Sequence, residues 1–383
     1  MSLFAARQAA SLVMPAKRAA HSLDNVANAA RQQLSGPVKT AMAVGTNLSA
    51  GIVDAAFNAA GFGPKGQKPT GTVTGLSVPM MTGGTRRVAG VRTVASGALG
   101  REVPQAEFVQ RITAYHDEAS TGEVDLQRIV IGLWKSEGMS TTVAKYLLPE
   151  NRLSDPGLPR GVLPIAHVGF GSGSTEMQVF DVAKLNALFK DRCDPDFRDF
   201  SYEGIGAILR IYERGFFKVM SGALGLIRLD APDGPDTADF FAAYLGQYPP
   251  HLQRLIVHGY GRIIAFSNMN IYAALEEITS LPADRIEPAV HGAAFAFAIM
   301  NSADLPRMLE ESAIAFDRNV RASFQNGLVY GLVFFDWYVP GLIAAWKPAG
   351  PLETELVEHA RSEAALTRAR GYPLAFRLQN PRT

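Results

Sequence analysis

Phe197-Arg198-Asp199-Phe200-Ser201-Tyr202-Glu203-Gly204-Ile205-Gly206-Ala207 is the run on which the reading of the fold turns. From Tyr202 to Tyr212 its apolar residues recur three and four apart, which predicts an amphipathic helix with a carboxylate and small residues at its start. A second run, Ala289-Val290-His291-Gly292-Ala293-Ala294-Phe295, opens another apolar helix in the same way. Each is followed by a further match, Leu252 to Phe266 after the first and Val320 to Phe334 after the second, aligned on Gly259 and Gly327. The expected architecture is therefore mainly α, with a two-copy helix-pair repeat spanning about residues 197–270 and 284–340. The first copy is the longer, with the Asp-rich stretch Asp230 to Asp239 as its insertion. Glycine and alanine at these helix starts let backbones approach closely.

Working outward, the pattern stays helical from Val103 onward, in stretches separated by Gly, Pro and Asp. Ala106 to Tyr115, Val124 to Trp134, Thr141 to Leu148, Thr175 to Phe189, His251 to Leu275, Pro288 to Asn301, Leu305 to Phe316, Val320 to Phe335 and Leu352 to Arg368 read as helices. Gly161 to Ser174 reads differently, as an extended piece followed by a tight glycine-rich turn. No apolar run is long enough to span a bilayer, because Asp336 and Pro340 interrupt the best one, Gly327 to Trp346, which reads instead as a buried helical hairpin.

The amino-terminal part is of another kind. Residues 1–101 hold eleven Lys and Arg but only two acids, Asp24 and Asp54, in a background of Ala, Gly, Ser and Thr. Such a composition cannot bury enough apolar area to offset its ordering entropy, so residues 1–85 are predicted to form a flexible basic tail and 86–383 the helical domain. The tail permits peripheral contact with an anionic membrane. The whole chain carries a formal charge of +1, which gives no footprint for nucleic acid. One cysteine, Cys193, excludes a disulfide framework and multi-thiolate metal sites, in keeping with a cytoplasmic location.

The order of these blocks resembles a known family. Phe197 to Gly204 is similar to the Phe-Arg-Gly-Phe-x-Tyr-Glu-Gly signature of the UnbL-type proteins, a domain of unknown function encoded in enediyne polyketide biosynthesis clusters. Gly259-Tyr260-Gly261, His291-Gly292 and Asn326-Gly327 fall where that family has its later glycine-containing helix starts. Asp199 stands where the signature has glycine, and histidines occupy 258 and 291. The resemblance covers roughly Asp194 to Pro340 and implies an accessory protein of specialised metabolism; the expected partners are an apolar small molecule and a biosynthetic synthase.

Four residues are candidates for chemistry. His291 is the only ionisable residue between Glu287 and Asp304, so burial would hold it neutral as a base. Glu203, its counterpart in the first copy, is expected to be raised in pKa and to act as an acid. His258 lies between Arg254 and Arg262, and Asp336, flanked by Phe335 and Trp337, requires a cationic partner if it is internal. Tyr202, Gly204, Tyr260, Phe295, Phe297 and Trp337 are the expected substrate-binding residues. Nothing calls for a cofactor, and no sequence-local pair has metal-ligand spacing. Three readings stand: a cofactor-independent acid–base enzyme of cyclase or isomerase type, a non-catalytic binding or scaffold protein for a lipophilic intermediate, and a non-standard isoprenoid cyclase using the aspartates at 191–199 and 230–239.

Overall fold

A computed structural model describes residues 72–73, 76–77, 102–122, 124–178, 180–214, 241–268, 271–302, 305–306, 308–310 and 318–371. The predicted tail lies outside these residues, apart from a two-residue antiparallel pairing of Thr72–Val73 with Leu76–Ser77. So does the Asp-rich stretch from Asp230 to Asp239.

The described domain is mainly helical. Its helices are α1 (Gln105–Ser120), α2 (Leu126–Lys145), α3 (Leu163–Gln178), α4 (Val182–Arg192), α5 (Phe200–Arg214), α6 (Pro250–Asn268), α7 (Ile271–Thr279), α8 (Ala283–Met300), α9 (Arg318–Tyr338), α10 (Leu342–Ala345) and α11 (Pro351–Arg370). Local chemistry sets several of the ends. Asp181 caps α4 by accepting from the Lys184 amide, and α11 starts at Pro351 and stops at Gly371. The predicted helix His251 to Leu275 is two, α6 and α7, and Pro288 lies inside α8 rather than in its first turn.

The main correction concerns α3. The stretch read as extended chain and turn is a 3-10 turn, Arg160–Val162, leading into a helix that carries Gly169, Gly171 and Gly173. Glycine costs about 1 kcal/mol relative to alanine in a helix interior, so a run with three of them favours a turn on local grounds. Tertiary packing overrides it, because every residue of α3 from Leu163 to Thr175 is buried.

Six helices form one array in which α2 packs on α3, α3 on α5, α5 on α6, α6 on α8 and α8 on α9. Its seams obey a common rule. A Cβ placed on Gly169, Gly204, Gly259, Gly292 or Gly327 would run into the carbonyl oxygen of Glu137, Val168, Glu203, His258 or His291 respectively. In each case that carbonyl belongs to the residue just before the glycine of the preceding helix. The glycine two positions later packs forward by a second constant offset, Gly171 on Ser201, Gly206 on Ile256 and Gly261 on Ala289. Hydroxyls stitch the same seams, with Thr141 Oγ1 donating to Gly169 O at 3.0 Å and Ser172 Oγ to Gly204 O at 3.3 Å.

The repeat thus has three copies, where the sequence suggested two: α2/α3, α5/α6 and α8/α9. Gly204 and Gly292 are equivalent, as are Gly259 and Gly327. The additional copy is Glu137-Gly138 with Val168-Gly169, whose second helix has the glycine pattern of a turn. The array curls so that α6 reaches back to α2, with Trp134 edge-on to Phe266 at 5.7 Å and Arg262 beside Glu137 at 3.7 Å. At its far end, Tyr338 of α9 meets α1, where His116 Nε2 lies 2.9 Å from the Tyr338 carbonyl oxygen.

Candidate functional site

Of the residues that precede the seam glycines, Val168 is apolar, and four others carry ionisable side chains inside the curl. Glu137, Glu203, His258 and His291 are all buried, at 2%, 1%, 0% and 3% exposure. Arg262, one turn beyond His258 on α6, is the cation among them: its Nη1 donates to Glu203 Oε1 at 2.6 Å, and its Nη2 lies 3.7 Å from Glu137 Oε2. The guanidinium also stands 5.1 Å over the Phe295 ring.

Glu203 does not carry the raised pKa expected from the sequence. Burial pushes its carboxyl up, but the charges of His258 and Arg262 and the hydrogen bonds they offer outweigh that and hold it down at about 2. Burial works against the Arg262 charge too, yet Glu203 and Glu137 keep its pKa above the ordinary arginine value. Glu203 is therefore a fixed carboxylate and no general acid.

His258 is the residue that the fold promotes. The sequence placed it on a charged flank of α6; in the structure it is fully buried, with Nδ1 3.4 Å from Glu203 Oε1. Aromatic rings surround it, with centroids at 5.2 Å for His291, 5.6 Å for Phe295 and 5.7 Å for Tyr330. Its Nε2 is buried and has no hydrogen-bond partner among the described residues. With Glu203 on the Nδ1 side, the neutral tautomer protonated at Nδ1 leaves Nε2 as its basic atom, the arrangement by which a carboxylate orients a catalytic histidine. His291 faces the same interior, 5.6 Å from Tyr330 by ring centroids. Glu203 and His291 thus share one space, joined through His258 between them.

The other expected site residues are scattered. Phe295 alone of the predicted substrate-binding set lies at the cluster. Tyr202 packs against Phe189 and Tyr248 and donates to Asn186 Oδ1 at 2.8 Å. Gly204 is filled by the α3 backbone and has no face to offer a ligand. Tyr260 stacks on Phe241 and donates to Glu213, while Phe297 packs on Phe324. Trp337 donates to the Arg160 carbonyl at 3.0 Å.

Asp336 has the partner its burial demands, but its employment is architectural. It is 2% exposed, accepts from the Ile343 amide at 2.9 Å and pairs with Arg368, so it ties α9 to α10 and α11. Asp191 and Asp196 are exposed at the surface and form ion pairs with Arg192 and Arg160, as expected of solvated turns and unlike a diphosphate site. Among the described residues no three His, Cys, Asp or Glu side chains are grouped as metal ligands. No described helix is long and apolar enough to cross a membrane.

Sequence reasoning missed three members of the cluster, Glu137, Arg262 and Tyr330. Glu137-Gly138 carried a signal, since it repeats the acid–glycine step of Glu203-Gly204. A contrasting histidine, His167 of α3, shows what a satisfied core imidazole looks like here. Its Nδ1–H donates to Leu163 O at 2.7 Å, and its Nε2 accepts from the Asp194 amide at 3.0 Å. Burial pushes its pKa down to about 3.

Comparison with protein-family models, curated proteins and solved structures finds no match to this chain.

Proposed function

We propose that this protein is a proton-transfer enzyme acting on an apolar, conjugated small molecule, with His258 as the base and Glu203 as the residue that positions it. The observation that carries this reading is the fully buried His258 Nε2, which has no hydrogen-bond partner among the described residues while Nδ1 faces a carboxylate. A buried polar atom left unpaired costs about 1–3 kcal/mol, a cost that a protein keeps where a ligand supplies the missing contact. The walls formed by His291, Phe295 and Tyr330 suit a planar unsaturated chain.

In the proposed step, Nε2 removes a proton from a carbon next to the conjugated system, forming an imidazolium that Glu203 stabilises. The same nitrogen then returns the proton to another carbon, so the double bonds shift with no change in composition and no cofactor. Arg262 keeps Glu203 ionised throughout. The resemblance to the enediyne-cluster family supports a polyene substrate and a place in specialised metabolism.

The test compares lipophilic extracts of producing cells carrying the native protein, His258→Gln, Glu203→Gln or no protein, after growth in deuterated water. His258→Gln is expected to fold, to match the strain without the protein, and to lose the product deuterated at carbon. If His258→Gln leaves the extract unchanged, the proton-transfer reading fails and a sheltering or scaffold role takes its place.

A further inference from the structure

A second buried polar group lies outside the His258 cluster. Arg210 stands seven residues beyond Glu203 on α5, about 10 Å along the helix, and its side chain is completely buried. Its counter-charge is Glu277 of α7, itself 2% exposed, which it meets through Nη2 alone. The other carboxylate oxygen of Glu277 accepts from Asn268 Nδ2 at 2.8 Å. The Nε and Nη1 of Arg210 have no hydrogen-bond partner among the described residues. Beside them is the Tyr260 ring, 5.6 Å from the guanidinium carbon.

A guanidinium presents five N–H donors in a rigid fork, and buried arginine–carboxylate pairs favour two parallel bonds. Here the pair is held at one corner, and the remaining donors are buried without a partner among the described residues, at the usual penalty for unmade bonds. The missing partner must be an acceptor. It must also be uncharged: Glu277 already neutralises Arg210, and Glu213 adds a further carboxylate at the Tyr260 hydroxyl, so an anion would bring excess negative charge into a dry interior.

We infer that Arg210 is a binding site for the neutral carbonyl oxygen of an apolar molecule, such as a ketone or ester, received at Nε and Nη1. The site shares no side chain with the His258 cluster and does not depend on proton transfer there.

The test titrates the full chain with 2-undecanone, undecanoate and 1-undecene by calorimetry, and records the carbonyl stretch of the bound ketone. The ketone is expected to bind about tenfold more tightly than the alkene or the acid, with its carbonyl band moved to lower frequency. Glu277→Gln, which leaves the guanidinium without its counter-ion, should reverse the order in favour of undecanoate. Arg210→Met/Glu277→Leu, which removes both charges together, should bind ketone and alkene alike. The inference is overturned if the native chain binds none of the three or does not discriminate ketone from alkene. It is equally overturned if Glu277→Gln leaves the order unchanged. Should the double variant fail to fold, the Glu277→Gln reversal alone decides.

Discussion

The first and second helix pairs are built on the same seam and differ in the residue that stands on it. In α2/α3 the positions before the glycines hold Glu137 and Val168; in α5/α6 they hold Glu203 and His258. The carbonyls of these residues do the same work in both pairs, receiving the glycine of the next helix, so the side chains are free to change without moving the backbone. The consequence is clearest for histidine. His167, one position earlier than the His258 equivalent, finds a carbonyl and an amide and is held neutral, whereas His258 has a carboxylate 3.4 Å from Nδ1, an aromatic wall, and no hydrogen-bond partner for Nε2 among the described residues. The same seam thus carries a histidine with both nitrogens satisfied in one pair and a histidine beside a carboxylate in the next.

Glycine substitutions provide the largest effect and the most direct way to break the equivalence of the pairs. Gly259→Ala and Gly292→Ala place a methyl group against the carbonyls of Glu203 and His258, contacts that backbone cannot yield without separating the helices. Each should cost about 3 kcal/mol or more and lower the thermal midpoint to a similar extent. Gly246→Ala, whose nearest neighbour would lie at 3.5 Å, should change the midpoint little. Gly204→Ala, against the Val168 carbonyl, should lose as much as Gly292→Ala, and unequal losses at this equivalent pair would show that the copies are not equivalent.

Next in size is the contrast between the two acids on the seams. Glu203→Gln leaves Arg262 buried without its close partner and should cost about 3 kcal/mol, measured by denaturant unfolding. Glu137→Gln, at the longer separation of 3.7 Å, should cost clearly less. The pH dependence sharpens this. Since the folded pKa of Glu203 is about 2 against an ordinary 4.5, the unfolded chain takes up the proton first, and stability is lost as pH falls from 4.5 toward 2. That part of the acid limb should vanish in Glu203→Gln.

His167 titrates against folding over a higher window. Its folded pKa of about 3 lies below the ordinary 6.5, so its contribution is complete above pH 6.5 and is lost as pH falls toward 3. His167→Gln should flatten the stability curve over that interval, and an unaltered slope would contradict the neutral, doubly bonded state of this side chain.

The smallest effect is expected at Tyr202, whose phenol is pushed up to about 12 by burial and by nearby Asp199. Its neutral form is favoured by folding, so stability is full below pH 10 and falls as pH rises toward 12. Tyr202→Phe should lose about 1 kcal/mol with the Asn186 hydrogen bond and show a shallower alkaline limb.

Periodicity alone revealed most helices, because an apolar residue every three or four positions has few other uses, and α9 and α11 lie within two or three residues of their predicted bounds. The glycine-rich α3 was misread for a physical reason: propensity counts what glycine loses within a helix, and only the neighbouring helix shows what its missing side chain permits. The candidate site was legible to the extent that Glu203, His258 and His291 each precede a glycine in an apolar run. Their convergence was not, since the Glu203–Arg262 contact joins residues 59 apart in the chain.

By itself the sequence determined the helical class, the glycine-marked helix starts and the identity of the polar residues beside them, all of which depend on neighbours within a few positions. Tertiary structure alone decided the third copy of the repeat, the ionised state of Glu203, the unpaired nitrogen of His258 and the architectural use of Asp336. Each of these depends on burial and on charges brought from distant segments, and local pattern carries neither the dielectric surroundings of a side chain nor the identity of what will face it.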